Sequence, residues 1–273
     1  MMRSLLYVPA HAERFIAKAH ERGADAVILD LEDAVPEDAK DRARDGLSET
    51  VAHVRRGGAE VLVRINSGER LEEDALAAIT AGADGLYVPK VRSRDDLVAL
   101  DGLLTPAEDR LGRPSTRIVA LLEDIGAVLD ARLIAKGPRL LGLSVGGEDL
   151  ALSLGAEPTP EVLKLPKLLV HYAAKEHNLM SFGMLRSTAD YSDLDGIAAA
   201  AREARDQGFD GATCVHPAVV PVLNAEFSPS PAQRAWAERV VAEAEAGEGA
   251  FQIDGRMVDA PVIARARSLL ARG

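Results

Sequence analysis

Apolar, strand-like segments in this chain run, one after another, into residues that ionise. Residues 26–33 end in Asp30, Glu32 and Asp33, residues 60–66 reach Arg64, and residues 85–90 reach Lys90. Residues 117–123 end in Glu123, and residues 140–149 pass through Gly146 and Gly147 to Glu148 and Asp149. Parallel strands covered on both faces are apolar along their length. Charge confined to their C-terminal ends is the pattern of a (β/α)8 barrel, whose chemistry sits on that face.

Three further segments complete eight strands: the N-terminal Arg3-Ser4-Leu5-Leu6-Tyr7-Val8-Pro9, then 178–183 and 211–217. Helix-like stretches alternate with them at 11–22, 36–56, 71–81, 93–104, 126–136, 160–176 and 193–206. A junction recurs in Gly23-Ala24-Asp25, Gly82-Ala83-Asp84 and Gly208-Phe209-Asp210. Glycine ends a helix by accepting positive φ, and aspartate is expected to support the tight turn that follows. After residue 222 the pattern changes. Ser228-Pro229-Ser230-Pro231 opens a long helix at 231–246, Gly247-Glu248-Gly249 breaks it, a short strand follows at 250–253, and Pro261 starts a last helix. The expectation is a barrel at 1–222 and a helical extension at 223–273 that packs on a neighbouring subunit and acts as a lid.

The 273 residues, 47% of them apolar, suffice for one barrel core. A net charge of −11 argues against a nucleic-acid or anionic membrane partner. Cys214 is the one cysteine, which fits a reducing cytoplasm. The N-terminus turns polar too soon for a signal peptide, and no apolar run is long enough to cross a bilayer.

Acidic side chains from adjacent strands, with glycines nearby, suit a hard divalent cation. Mg2+ takes few carboxylates together with waters and substrate oxygens. Glu123 and Asp149 are the expected ligands, against the simpler reading that such acids cap the following helices. Four acidic strand ends around Arg64 favour the metal. Arg64 suits two-pronged binding of a substrate carboxylate and can at the same time pair with Glu32 or Asp33. Lys90, among so many acids, is expected to be a charged partner and not a Schiff-base nucleophile. Gly146 and Gly147 bring backbone amides close to an oxyanion. His216, before Pro217, is expected to be a scaffold residue, and Cys214 a packed one. No dinucleotide, Walker or zinc pattern is present, and His171 and His177 lack helical metal spacing.

Several motifs together resemble the citrate lyase beta-subunit-like group of the malyl-CoA/citramalyl-CoA lyase and HpcH/HpaI aldolase family. They are the N-terminal segment with Glu13-Arg14-Phe15, Leu29-Asp30-Leu31-Glu32-Asp33-Ala34-Val35, Val63-Arg64-Ile65-Asn66, Val88-Pro89-Lys90 and Gly147-Glu148-Asp149-Leu150. Val215-His216-Pro217, Phe227-Ser228-Pro229-Ser230 and 254–261 extend the likeness over nearly the whole chain. The resemblance implies a barrel dependent on Mg2+, with Mn2+ the alternative ion, assembled as a homotrimer or hexamer. It implies cleavage of a β-hydroxyacyl thioester, such as a CoA thioester, into an acyl thioester and a 2-oxo acid. By motif, Glu123 and Asp149 hold the metal. Arg64 contacts the oxo acid, with Glu123, Gly147 and Glu148 beside it. Asp259 is the acid/base delivered from an adjacent subunit. Glu32 and Asp33, with Asp30 and Lys90, surround the metal's waters, and Arg14 and Lys18 are the expected CoA contacts.

Two departures bear on substrate. Asp33 stands where the aldolase branch carries a histidine, which favours the thioester-lyase branch. Residues 164–167 and 184–191 differ from the family pattern and alter a pocket wall. The other readings are a metal-dependent aldolase on free 2-oxo acids, a non-catalytic subunit of a lyase complex, and a thioesterase that follows lysis with hydrolysis.

Overall fold

A computed structural model describes residues 2–271 except Asp190 and Glu248. Eight parallel strands wind round one axis: β1 (Ser4–Pro9), β2 (Ala26–Asp30), β3 (Glu60–Arg64), β4 (Gly85–Val88), β5 (Arg117–Leu122), β6 (Leu140–Val145), β7 (Met180–Phe182) and β8 (Ala212–Cys214). Each pairs with its neighbour in chain order, and β1 also pairs with β8. A single parallel bridge between Phe182 and Gly211 closes the circle. This is the expected (β/α)8 barrel with flanking helices, followed by C-terminal helices.

Alternation along the strands divides the core in two. Leu5, Ala26, Ile28, Leu62, Tyr87, Val119, Leu121 and Phe182 point inward and fill the barrel. Leu6, Val8, Val27, Leu29, Val61, Val63, Leu86, Ile118, Ala120 and Leu122 point outward to meet the helices. The inward parity carries on past the apolar stretch to Asp30 and Arg64 at the strand ends, which is how a packed interior delivers charge to one face.

The recurrent junction has a stronger role than a turn. Gly23, Gly82 and Gly208 have φ of 68°, 87° and 102°, as helix-ending glycines should. The aspartate two residues on reaches across to the preceding strand. Asp25 accepts from the Arg3 amide at 2.7 Å, Asp84 from Val61 at 2.8 Å, and Asp210 from Ser181 at 2.8 Å. A cation holds each: Arg3 on Asp25, Arg55 on Asp84, Lys175 on Asp210. These three staples tie adjacent strands together at the N-terminal rim.

Some elements differ from expectation. The strand expected at 140–149 stops at Val145, and Gly147–Leu154 is a helix. Leu150 and Ala151 are its buried residues, while Glu148 and Asp149 occupy its first turn, where carboxylates are favoured. The helix expected at 36–56 is divided by Gly46 into Lys40–Asp45 and Leu47–Arg55. Helix Val220–Phe227 straddles residue 222 and is bonded into the barrel's lower end, with Asn224 accepting from Ser4 Oγ at 2.6 Å.

The C-terminal elements have their own small core of Ala237, Val240, Val258 and Ala266. Helix Pro231–Ala246 and helix Ala260–Leu270 enclose a hairpin of β9 (Phe251–Ile253) and β10 (Arg256–Val258). Its turn, Asp254-Gly255, has φ of 52° and 75°, the two left-handed residues that a tight hairpin needs. A groove of about 840 Å³ separates this unit from the barrel. Arg205, Gly208 and Phe227 line its barrel side. They lie at the ends of helices that return from the mouth, so the unit sits at the N-terminal end of its own barrel. Among the described residues no helix is long and apolar enough to cross a membrane.

Replacing Asp84 by alanine leaves the buried Val61 amide without its acceptor. Urea unfolding is expected to show a loss of about 1–3 kcal/mol, and a change within error would reduce the staple to decoration.

Candidate active site

The strand ends converge on a cavity of about 300 Å³, lined by Tyr7, Asp30, Arg64, Tyr87, Glu123 and Asp149 among others. Asp30, 1% exposed at the end of β2, is its anchor. It accepts from Arg64 Nε at 2.7 Å and Nη2 at 2.6 Å, and from the amides of Glu32 and Ala34 at 2.8 and 3.2 Å. The guanidinium is therefore set by a fork-to-fork pair, while the same carboxylate folds the loop that carries Glu32 and Asp33. Arg64 Nη1 lies 2.9 Å from Glu32 and 3.4 Å from Asp33. The Glu32 contact is ionic, since that oxygen has no aligned hydrogen bond. Arg64 also lies over the Tyr7 ring at 5.0 Å.

Lys90 adopts a left-handed backbone, φ 55°, an uncommon conformation for a side-chain-bearing residue. That turn aims its amide at Glu123 Oε2, 2.7 Å away, while Nζ bonds Glu32 at 2.8 Å. Lys90 is thus the charged partner expected. Glu123 is pressed from the other side by Gly146, where a Cβ would come within 2.8 Å of its Oε1. Burial first, then the charges of Glu32 and Asp149, pushes the Glu123 carboxyl up to about 7. Burial likewise raises Glu32, against the pull of Lys90 and Arg64.

Asp149 enters this site from the first turn of helix Gly147–Leu154 and not from a strand. Among the described residues no three His, Cys, Asp or Glu side chains stand in a ligating array. A carboxylate pair with free coordination positions remains, which is how Mg2+ is ordinarily held beside waters and substrate oxygens. Glu123, raised by burial and then by its carboxylate neighbours, is the group that a cation would relieve, so the residues present fit the ion.

Glu148 is exposed at the cavity wall and accepts from Ser187 Oγ. Lys167, fully buried, ties down the same wall by donating to the carbonyls of Met184 at 2.9 Å and Arg186 at 2.7 Å. Burial lowers its pKa to about 8. Lys167 from 164–167 and Met184, Ser187 and Thr188 from 184–191 therefore share one wall, while Asp190 lies outside the described residues. Sequence reasoning missed Lys167, since a lysine among surface-patterned helix residues carries no mark of burial. It also missed Tyr7 and Tyr87, although inward parity marks both.

Other expected residues lie elsewhere. Arg14 and Lys18 are exposed on helix Glu13–Ala19, which starts at the mouth, but they do not line the cavity. Asp259 caps helix Ala260–Leu270, accepting from Val262 at 3.5 Å, at the opposite end of its own barrel. His216 is a scaffold residue: Nδ1 accepts from the Ala218 amide at 3.2 Å and the ring stacks on Tyr191. Cys214 is buried and its thiol is pushed up to about 12.

Residues 3–217 match the family described as HpcH/HpaI aldolase/citrate lyase. The chain is 37% identical over 278 aligned residues to a (3S)-malyl-CoA thioesterase of Cereibacter sphaeroides, covering 99% of this chain and 94% of that one. It is 30% identical to citrate lyase subunit beta of Haemophilus influenzae, covering 100% and 97%. Among solved structures it resembles CitE of Mycobacterium tuberculosis in complex with magnesium, acetoacetate and coenzyme A. There the TM-score is 0.81 and the identity 29%, over 99% of this chain and 97% of that one.

The crowded carboxylates have a measurable consequence. Glu123 keeps its proton to about 7 in the folded chain, against 4.5 for the ordinary group. Metal-free protein should therefore be most stable below pH ~4.5 as far as this group is concerned, and lose up to about 3 kcal/mol as pH rises through 7. Glu123→Gln should remove most of that slope, and Mg2+ should flatten it in the parent but not in the variant. A parent whose unfolding free energy between pH 5 and 8 matches that of Glu123→Gln would refute the account.

Proposed function

Because the chain belongs to the HpcH/HpaI aldolase/citrate lyase family, we propose that it is a Mg2+-dependent carbon–carbon lyase that splits a β-hydroxyacyl-CoA into an acyl-CoA and a 2-oxo acid. The observation that carries this reading is the pairing of Glu123 with Asp149 at the barrel mouth, beside an arginine held by carboxylates.

Glu123 and Asp149 would hold the ion. Bound there, the ion would offset the carboxylate charge and supply Lewis-acid polarisation to a substrate oxygen. Arg64, oriented by Asp30, offers its cavity-facing N–H groups to the carboxylate of the oxo acid. The backbone at Gly147 and Glu148 opens a helix, so its free amides add fixed donors to the same oxygens. Asp30, Glu32, Asp33 and Lys90 keep the arginine and Glu123 in register. A base takes the hydroxyl proton, the bond between C2 and C3 breaks, and its electron pair moves into the thioester as an enolate. The enolate carbon then takes a proton.

Asp259 is the candidate for these proton transfers. Its position at the far end of its own barrel supports delivery from a neighbouring subunit in a trimer or hexamer, where residues 223–273 would cover the next barrel, 1–222. Arg14 and Lys18, exposed on the mouth side, suit the phosphates of CoA. A second reading is favoured by the thioesterase relative: the same site would direct water at the thioester carbonyl and release a free hydroxy acid.

Incubation with (3S)-malyl-CoA and Mg2+ separates the two. The lyase reading expects glyoxylate and acetyl-CoA, whereas malate with free CoA supports the thioesterase. Neither product would reject both for this substrate. Asp259→Asn should keep metal binding and lose turnover by ~10²-fold or more. Mixed with inactive Glu123→Gln after subunit exchange, it should recover partial activity, because some interfaces then combine an intact metal pair with an intact Asp259. Absence of rescue would assign the acid to its own chain.

A further inference from the structure

One polar group in the barrel has no part in the chemistry above. Tyr87 on β4 is 0% exposed, yet it lines the cavity, and its hydroxyl has no hydrogen-bond partner. A buried phenol left in this state costs stability. Tyr7 and Ser144 bring hydroxyls near it, but neither makes an aligned hydrogen bond with it. Ser144 Oγ donates to the Phe182 carbonyl at 3.1 Å, and the Tyr7 ring meets Tyr87 edge-on at 5.8 Å between centroids. Burial pushes the phenol up to about 12, so it is a donor throughout the working pH range.

Strand register fixes which part of a ligand would meet it. Tyr87 pairs with Arg64 on one side and with Val119 on the other. Val119 belongs to β5, which runs directly to Glu123. Tyr87 therefore lies on the cavity floor between the strand that carries the arginine and the strand that carries the acid. A group bound between Arg64 and Glu123 sits above this hydroxyl.

We propose that Tyr87 is a substrate-binding residue whose hydroxyl donates to the carboxylate–keto end of the 2-oxo acid. The proposal rests on the lyase reading and adds a contact on the floor to those expected at the mouth. It also explains why an unpartnered polar group is kept in a cluster with the apolar Ile28, Leu62, Val119 and Leu121.

Tyr87→Phe removes the oxygen alone and preserves the ring contact with Tyr7. Calorimetric titration of glyoxylate and of oxaloacetate, each with saturating Mg2+, tests the variant against the parent. Binding by the parent tests the lyase reading by itself, and its failure with both acids would remove the basis for this contact as well. Given parent binding, the variant should lose roughly three- to tenfold in affinity for both acids, because both carry the same carboxylate–keto end. Its Mg2+ affinity should not change, and its metal-free thermal midpoint should be equal or higher. A purely structural tyrosine would instead lower the midpoint and leave affinity alone. Unchanged affinity for both acids, or a loss confined to oxaloacetate and hence to its distal carboxylate, would overturn the assignment.

Discussion

Crowding of negative charge at the barrel mouth is the constraint on which the site depends. Asp30, Glu32, Asp33, Glu123 and Asp149 gather there against Arg64 and Lys90. Most of this charge is organised in a chain: Asp30 fixes Arg64, Arg64 and Lys90 draw in Glu32, and the Lys90 amide fixes Glu123. The first links set a cation on a carboxylate, whereas the last offers Glu123 only a backbone amide. What remains over at the end of the chain is Glu123 beside Asp149, its carboxyl raised by burial first and then by the charges of Glu32 and Asp149. Buried ion pairs seldom add much net stability. Here they gather scattered acidic strand ends into one place whose charge suits a divalent cation.

The barrel separates this costly arrangement from the features that hold it together. At the opposite rim, Asp25, Asp84 and Asp210 each take a backbone amide of the preceding strand and a cation from a neighbouring helix or strand. Each of those aspartates has both an amide and a cation, whereas Glu123 at the mouth has an amide and, among the described residues, no cation bonded to it. Between the two ends lies an apolar interior, with both tyrosines at the level where the packed layers give way to the cavity. Strand direction alone decides which aspartates are structural and which are chemical, because all of them flank similar apolar segments.

That asymmetry explains what the sequence discloses. Apolar segments ending in Asp30, Arg64, Lys90 and Glu123 reveal strand number, direction and the functional face, since ionisable residues follow the apolar run at one end of strand after strand. The Gly-x-Asp junctions are equally legible as punctuation, but their long-range bonds are not, because nothing local says that Asp84 will reach Val61. Asp149 is reached for an incomplete reason: period-two parity continued through Gly146 and Gly147, where the backbone has already turned into a helix. The site survives that error because a helix start delivers an acid to the mouth as readily as a strand end. Lys167 and Ser187 stay hidden, since their contacts join stretches of chain that no periodicity relates.

The C-terminal unit turns the same geometry into an argument about assembly. It packs chiefly on itself, around Ala237, Val240, Val258 and Ala266, and a groove divides it from the barrel's N-terminal end. An element meant to cover its own mouth would have to pass the whole height of the barrel from Ser228, which Arg3 holds at the lower rim at 3.0 Å. Closing over a second barrel needs no such passage, because the mouth of a neighbour can be brought to the unit by symmetry. On that view the short connection at 228–231 is a device for presenting Asp259 outward. On the proposed reading, the open mouth of each barrel, with Glu123, Asp149 and the exposed Arg14 and Lys18 beside it, would be the surface that the next chain completes.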